Sequence, residues 1–491
     1  MNLAQRSVTS VAWNMGANWA GAVVLFVRSA LLARWLPVEV FGIYAFAQSV
    51  MVLSSIAANL GVGSAFLHRS PETEDEELAA AVHFTLKCLL TVVWAALLVT
   101  GTFIFAEGQM RTALLLLTAT TGLGQLTHTP REILVRRVVH RRLAVVGFLD
   151  TCLTTLVALG LAWQGVTLWA LLAVDLAGLI LSIVTLYVWR PVWRPRLTWS
   201  PRVMRYFLRF GSRVMLASLL LRALDRIDDL WTGLSLGETS LGFYSRAYTF
   251  ATYPRRVLAS SINAVAGGAY AELKGNRLGL SKVFFRTNAL MVRSGFLLAG
   301  LLTLIAPEFI RLVLSPKWLP MLDAFRLMLV FTLFDPIRST VSDLFVAVGK
   351  PGQIVRARLV QLAVLIGGLC LLGPRLGITG VALAVDTMLV TGIAILLWQA
   401  RVHVNFSLGS LFVVPILGLV AGLLLVGAIL RLPGVVGSDW WTGLVKAVTF
   451  TVVYSIVLLT LERRQLSEML LLVISRVFGK NGQQNVVGLK T

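Results

Sequence analysis

Arg222-Ala223-Leu224-Asp225-Arg226-Ile227-Asp228-Asp229 lies inside a run, Phe207 to Leu236, that is otherwise apolar enough to cross a lipid bilayer. At the centre of such a helix each charge costs about 2.5–3.5 kcal/mol even on the mildest insertion scale, so intramembrane charges mark function or are neutralised by partners. Arg28, Arg246, Arg255 and Arg256 occupy comparable runs. The pattern points to a transporter with a cationic interior.

The rest of the chain agrees with a membrane origin for that run. Mean hydropathy is +0.81, and 57% of the 491 residues are hydrophobic against 14% charged, where soluble domains carry roughly 25% charged residues. Apolar runs of spanning length predict fourteen spans: 11–35, 41–67, 80–105, 111–129, 143–164, 166–189, 207–236, 241–270, 284–306, 322–348, 355–374, 377–400, 408–430 and 443–461. The fold class is therefore an all-α polytopic membrane protein. Gly165 and Gly237-Glu238-Thr239 supply the tight turns between adjacent spans.

Basic residues concentrate in alternate loops. The richest are Arg131-Glu-Ile-Leu-Val-Arg136-Arg137-Val-Val-His140-Arg141-Arg142, the 190–213 segment with its seven Arg, and the tail from Glu462. By the positive-inside rule this places both termini in the cytoplasm. The net charge of +21 is then mainly a topology signal, with anionic lipid as the contact; no nucleic-acid motif accompanies it. Cys88, Cys152 and Cys370 stand singly within spans, and His68, His83, His128, His140 and His403 are scattered, so neither a disulfide nor a metal site is expected. Only Arg6 precedes a first span of about 25 residues, longer than the apolar core of a cleaved signal peptide.

Two words repeat. Leu36-Pro-Val-Glu-Val-Phe-Gly42-Ile-Tyr44 returns as Leu236-Gly-Glu-Thr-Ser-Leu-Gly242-Phe-Tyr244, and Leu172-Ala-Val-Asp175 as Leu383-Ala-Val-Asp386. Both matches join spans six apart, which predicts two pseudo-symmetric six-helix lobes with a substrate site between them. The expected organisation is an N-lobe over 1–190, a basic linker over 191–206, a C-lobe over 207–402, two further spans over 403–461 and a cytoplasmic tail over 462–491.

Helical phase sorts the polar residues onto faces. Arg222, Asp225, Arg226 and Asp229 fall within an arc of about 100°, with Leu220, Ala223, Leu224, Ile227 and Trp231 on the other side, expected to face lipid. Asn14, Asn18, Gly21 and Arg28 share a face, as do Tyr44, Gln48, Ser55 and Asn59, and Arg246, Thr249, Tyr253, Arg256 and Ser260. The tenth span carries Asp335, Arg338, Ser339, Ser342 and Asp343. Arg222 and Arg226 stand at helical-neighbour spacing from Asp225 and Asp229, so local neutralisation is the competing explanation for that span. It does not cover the set: Arg28, Arg222, Arg226, Arg246, Arg255, Arg256, Arg293, Arg326 and Arg338 outnumber Asp225, Asp228, Asp229, Asp323, Asp335 and Asp343. Arg293 and Arg326, nearer span ends, are expected to snorkel to the surface. A cationic surplus suits a phosphate-bearing cargo, because guanidinium matches phosphate oxygens with paired hydrogen bonds. Neighbouring Asn, Gln, Ser and Tyr side chains serve either cargo hydroxyls or interhelical packing.

The chain resembles the Wzx-like oligosaccharide flippases of the multidrug/oligosaccharidyl-lipid/polysaccharide superfamily. The resemblance rests on Leu32-Ala-Arg-Trp-Leu-Pro37-Val-Glu-Val-Phe-Gly42-Ile-Tyr44 and on Asp225-Arg226 followed by Leu236-Gly-Glu-Thr-Ser-Leu-Gly242-Phe-Tyr244-Ser-Arg246-Ala-Tyr248, over about the first 400 residues. It implies a fourteen-helix, two-lobed, alternating-access transporter that moves polyprenyl-pyrophosphate-linked oligosaccharide between leaflets for O-antigen, capsule or exopolysaccharide synthesis, beside glycosyltransferase and polymerase partners. It also implies cavity arginines, for which Arg28, Arg226 and Arg246 are the positional candidates. Arg222, Arg255 and Arg256 complete the cationic set. Asn14, Asn18, Gln48, Asn59, Tyr244 and Tyr253 are the expected polar lining, and Asp225, Asp228, Asp229 and Asp335 the expected ion-coupling acids. Gly418 and Gly422 fit either a lipid-tail groove or, more simply, close helix packing.

No cofactor and no enzymatic activity are expected, and no GxxxxGK[ST] is present for ATP. The alternatives within the superfamily are a lipid II flippase and a multidrug or cation antiporter. Outside it they are a membrane polysaccharide polymerase or ligase and a non-transporting scaffold. The outer connection from Pro307 to Met321 offers a polymerase no paired carboxylates.

Overall fold

The computed structural model describes residues 21–69, 75–137, 140–273, 275–433 and 437–463. Asn14 and Asn18 lie outside them, as do the side chains of Arg255 and Arg256. The described chain is helical, with α1 at 21–35, α2 Val38–Asn59, α3 Val62–His68, α4 Glu76–Phe105, α5 Gly108–Leu126, α6 His128–Arg136, α7 His140–Trp163 and α8 Thr167–Ile183. There follow α9 Pro201–Glu272, α10 Arg277–Phe309, α11 Leu322–Met328, α12 Val330–Ala347, α13 Gly352–Ala400, α14 Leu408–Ile429 and α15 Asp439–Leu461. Eight helices among the described residues are long and apolar enough to cross a membrane.

Two of the long helices are bent pairs. Gly237 has φ 85° in α9 and Gly377 has φ 58° in α13, a left-handed backbone that glycine adopts without a Cβ penalty. Each marks the turn between predicted spans, and Gly165, at φ 79°, does the same between α7 and α8. Large apolar side chains cover the outward faces: Leu97 is 71% exposed and Phe105 87%. Such surface is stable against hydrocarbon, where the helix satisfies its own backbone hydrogen bonds.

The chain packs as two compact units. Unit 1 holds Met1–Tyr253, Val313–Leu327 and Arg358–Met388, and unit 2 holds Pro254–Leu312, Met328–Ala357 and Leu389–Thr491. Within unit 1 the repeated words meet each other. A Cβ on Gly42 would lie 1.8 Å from the Glu238 carbonyl oxygen, and one on Gly242 would lie 2.3 Å from the Val38 carbonyl oxygen. The contacts are reciprocal at a spacing of 200 residues, and the Thr239 hydroxyl donates to Glu39 at 3.5 Å across the same junction. Only glycine permits backbone approach this close, which explains its place in both words. The opposite end of α2 is closed by α3, α6 and the start of α9, whose Phe66, Ile133, Val203 and Phe207 share one apolar cluster.

Unit 2 is knit by α10, α12, α14 and α15. Gly418 and Gly422 of α14 lie against Tyr454 and Phe450 of α15, 3.0 and 2.6 Å from would-be Cβ atoms. This is the close packing of the simpler reading. One expectation is overturned: Arg293 does not snorkel. It is 3% exposed and holds Glu462 through Nε at 2.5 Å and Nη2 at 2.6 Å, because a carboxylate from the chain's far end arrives to neutralise it.

Candidate functional site

Unit 1 gathers most of the expected polar residues into one network. On α2, Tyr44 donates to Asp175 of α8 at 2.8 Å, and Gln48 one turn on donates to both Asp175 oxygens at 3.2 Å. Ser49 donates to Asp229 of α9 at 3.0 Å, and Arg226 pairs with the same oxygen at 3.0 Å. Tyr244, fully buried past the Gly237 turn, donates to Asp228. Asp228 keeps its other oxygen buried without a partner. Local neutralisation thus holds for Arg226 with Asp229, as their i,i+3 spacing allows.

It does not extend to Arg28 or Arg246. Arg28 donates to the Thr154 hydroxyl at 3.2 Å. Arg246 donates to the Ser29 hydroxyl at 3.4 Å and lies over the Phe41 ring at 4.6 Å, while its Nε is buried with no hydrogen bond. Neither makes an ion pair among the described residues. The Arg28 charge opposes that of Arg246. Asp229 also feels Arg246, but Arg226 and Ser49 already hold it. Tyr253 packs edge-on to Phe26 at 5.3 Å, next to Phe250, beside this pair. Two guanidinium groups without a carboxylate at ion-pair distance, Arg246 with an unused N–H, form a place where an anion would gain charge-assisted hydrogen bonds.

Arg222 sits elsewhere. It is exposed, pairs with neither Asp225 nor Asp229, and lines a cavity of about 320 Å³ with Ser55, Asn59, His128, Glu132 and Ser218. Burial pushes the Glu132 carboxyl above its ordinary range, against the pull of Lys87 and Arg131. Behind this wall the buried Lys87 donates to Asn59 and, at 3.2 Å, to Gln125. A neighbouring cavity of about 260 Å³ shares His128 and reaches Gln125 and Asp175.

Other expected residues fall outside the network. Asp225 is exposed, and Asp335 belongs to unit 2, where it accepts from Arg338 at 2.7 Å. The apolar stripe of the seventh span does not simply face lipid: Leu224 is buried and Trp231 presses its ring on Gly373, 2.1 Å from a would-be Cβ. Four residues escaped the sequence-based site: Lys87, Thr154, Asp175 and Asp386. The repeated Leu-Ala-Val-Asp was the available signal for the two aspartates. Asp386 is 7% exposed, and neither of its carboxylate oxygens has a hydrogen-bond partner.

Comparison with known proteins places this architecture. The chain is similar to the succinoglycan biosynthesis transport protein ExoT of Rhizobium meliloti, at 25% identity over 55% of this chain and 54% of that one, so the match spans about half of that relative's length. It is similar to the lipopolysaccharide biosynthesis protein WzxC of Escherichia coli at 20% identity over 78% of each chain. Among solved structures, the lipid II flippase MurJ in an inward closed conformation shares the fold, with a TM-score of 0.77 at 14% identity, covering 93% of this chain and all of that one. Residues 31–323 match the family described as Polysaccharide biosynthesis protein, and the chain belongs to that family.

Proposed function

We propose that this protein is a flippase. It translocates polyprenyl-pyrophosphate-linked oligosaccharide from the inner to the outer leaflet of a bacterial plasma membrane, with both termini cytoplasmic and two six-helix lobes alternating access. The observation that carries the reading is the pair Arg28 and Arg246, held by the hydroxyls of Thr154 and Ser29 and without a carboxylate at ion-pair distance. A pyrophosphate placed there would supply the missing counter-charge and an acceptor for the unused Arg246 Nε. Membership in the polysaccharide family and relatives named for succinoglycan transport and lipopolysaccharide synthesis support the same cargo. The sugar travels in the wet interior while the polyprenyl tail stays in lipid, so no glycan crosses bare hydrocarbon. Arg222 and the polar cavity around Asn59 and His128 receive the headgroup from the cytoplasmic side. Asp228, with its unpartnered oxygen, is the acid retained for ion coupling.

The test is replacement of Arg28 and Arg246 by Ala, and separately by Lys, in the native host, with membrane levels verified. Loss of surface glycan with accumulation of lipid-linked precursor is the expected result. Full export by both Ala variants overturns the site.

A further inference from the structure

Seven arginines between residues 190 and 213 take no part in the site above, and no Asp or Glu occurs from 176 to 224. All seven are exposed. They form two adjoining pieces. The first is an extended strap, 189–200, in which Arg190, Arg194 and Arg196 alternate with Trp189, Trp193, Leu197 and Trp199. Trp193 is pinned against Phe84 at 5.6 Å, and the Thr198 N–H donates to Thr85 at 2.9 Å. Leu197 and Trp199 stay outside, 72% and 66% exposed. Arg196 has only a loose, solvent-exposed contact with Glu77 at 3.7 Å, which contributes little.

The second piece is the opening of α9. Val203, Met204 and Phe207 are buried in the apolar cluster of unit 1. Arg202, Arg205, Arg209 and Arg213 recur every three or four residues on the opposite face. Below Arg213 that same face turns apolar, and its first turn is exposed, with Leu216 at 65%. A cavity lining would have stayed polar; this face reads as headgroup above and acyl chain below. The depth agrees. From Arg213 to Leu234 the helix rises about 31 Å, close to the thickness of a hydrocarbon core, and a helix crossing at that length would set the four arginines at the phosphate layer and above it. Exposed Trp beside them is the side chain that favours that interface.

We infer that the strap and the arginine face of α9 bind the phosphate groups of resident anionic phospholipid, and that this lipid holds the start of α9 against the core of unit 1. Seven exposed arginines, of which only Arg196 meets an acid, supply the charge complementarity, and exposed Leu216 marks the place for the acyl chain. The inference needs only that unit 1 is embedded in a membrane. It is independent of the cargo.

The full-length chain is purified in neutral detergent, stripped of lipid, and titrated with phosphatidylglycerol, phosphatidylcholine or inorganic pyrophosphate. Bound lipid is read by native mass spectrometry and stability by thermal unfolding. Phosphatidylglycerol should bind in preference to phosphatidylcholine and raise the unfolding temperature by several degrees, with the gain shrinking as salt rises. The variant carrying Arg202→Gln, Arg205→Gln, Arg209→Gln and Arg213→Gln should lose both effects while unfolding at the same temperature as the lipid-free parent. Should it fail to fold, the pairs R202Q/R205Q and R209Q/R213Q are each expected to lose part of the gain. Equal response to phosphatidylcholine, a full phosphatidylglycerol gain in the variants, or an equal gain from pyrophosphate alone each overturns the proposal.

Discussion

Units 1 and 2 treat buried charge differently. In unit 2 the buried ions that the structure describes, Arg293, Glu308, Asp335 and Glu462, all sit in ion pairs, Glu308 with Lys446 at 2.7 Å. In unit 1 buried Asp229 is paired with Arg226, but the buried Lys87, Asp228 and Asp386 have no counter-ion at ion-pair distance, and the Arg246 Nε is buried with no partner. A buried pair cancels within the protein and can often be replaced by apolar side chains at no cost, whereas losing one member costs about 3–5 kcal/mol. The paired charges of unit 2 are accordingly scaffold. The unpaired ones of unit 1 are the charges that the proposed cargo site would use.

The sharpest way to break this contrast is to neutralise each side in turn. Arg246→Ala should lower glycan export by more than tenfold with little change in folding, while the double replacement Lys446→Met with Glu308→Leu should leave export near normal. A reversed result in an export assay would exchange the roles of the two units. Next in size is a stability effect confined to unit 2. Glu462→Ala, which strands Arg293, should cost about 3–5 kcal/mol, and Arg293→Met with Glu462→Leu should recover most of it; denaturation in detergent reads both. Third, Gly42→Ala and Gly242→Ala should each cost about 1–3 kcal/mol, since each methyl meets backbone rather than a yielding side chain.

Smaller effects sharpen the comparison within unit 1. Asp175→Ala, which abandons Tyr44 and Gln48, should destabilise by about 1–3 kcal/mol. Asp386→Asn strands no partner, and its unfolding temperature should match or exceed the parent's. The smallest concerns Glu132, outside the spans. Burial holds its carboxyl above the ordinary range, so the folded state favours the protonated form. The stability that this gives below the ordinary carboxylate range is lost as pH rises through the folded value. Glu132→Gln should flatten that slope in unfolding measured across weakly acidic pH.

The turns and the repeat were legible because glycine and hydrophobic period act locally: Gly165, Gly237 and Gly377 sit where the chain reverses. Arg226 with Asp229 and Arg338 with Asp335 were legible as i,i+3 neighbours. Arg293 with Glu462 was not, because its partner lies 169 residues away and helical phase carries no information across a fold. The same limit hid Thr154 beside Arg28 and Lys87 behind Asn59. Phase also misassigned Trp231, which is half-buried with its ring packed on a glycine of another helix.

The reciprocal contact of Gly42 with Glu238 and of Gly242 with Val38 is isologous: residue i touches j while the equivalent of j touches the equivalent of i, as in a homodimer with a two-fold axis. Joined within one polypeptide, the halves are released from identity. Position 28 is arginine and its counterpart 228 is aspartate, the first beside Tyr44 and the second bonded to Tyr244. Two identical subunits would place the same residue at both positions; this chain places a basic one at 28 and an acidic one at 228, and so gains a polarity across the joint that a homodimer could not express.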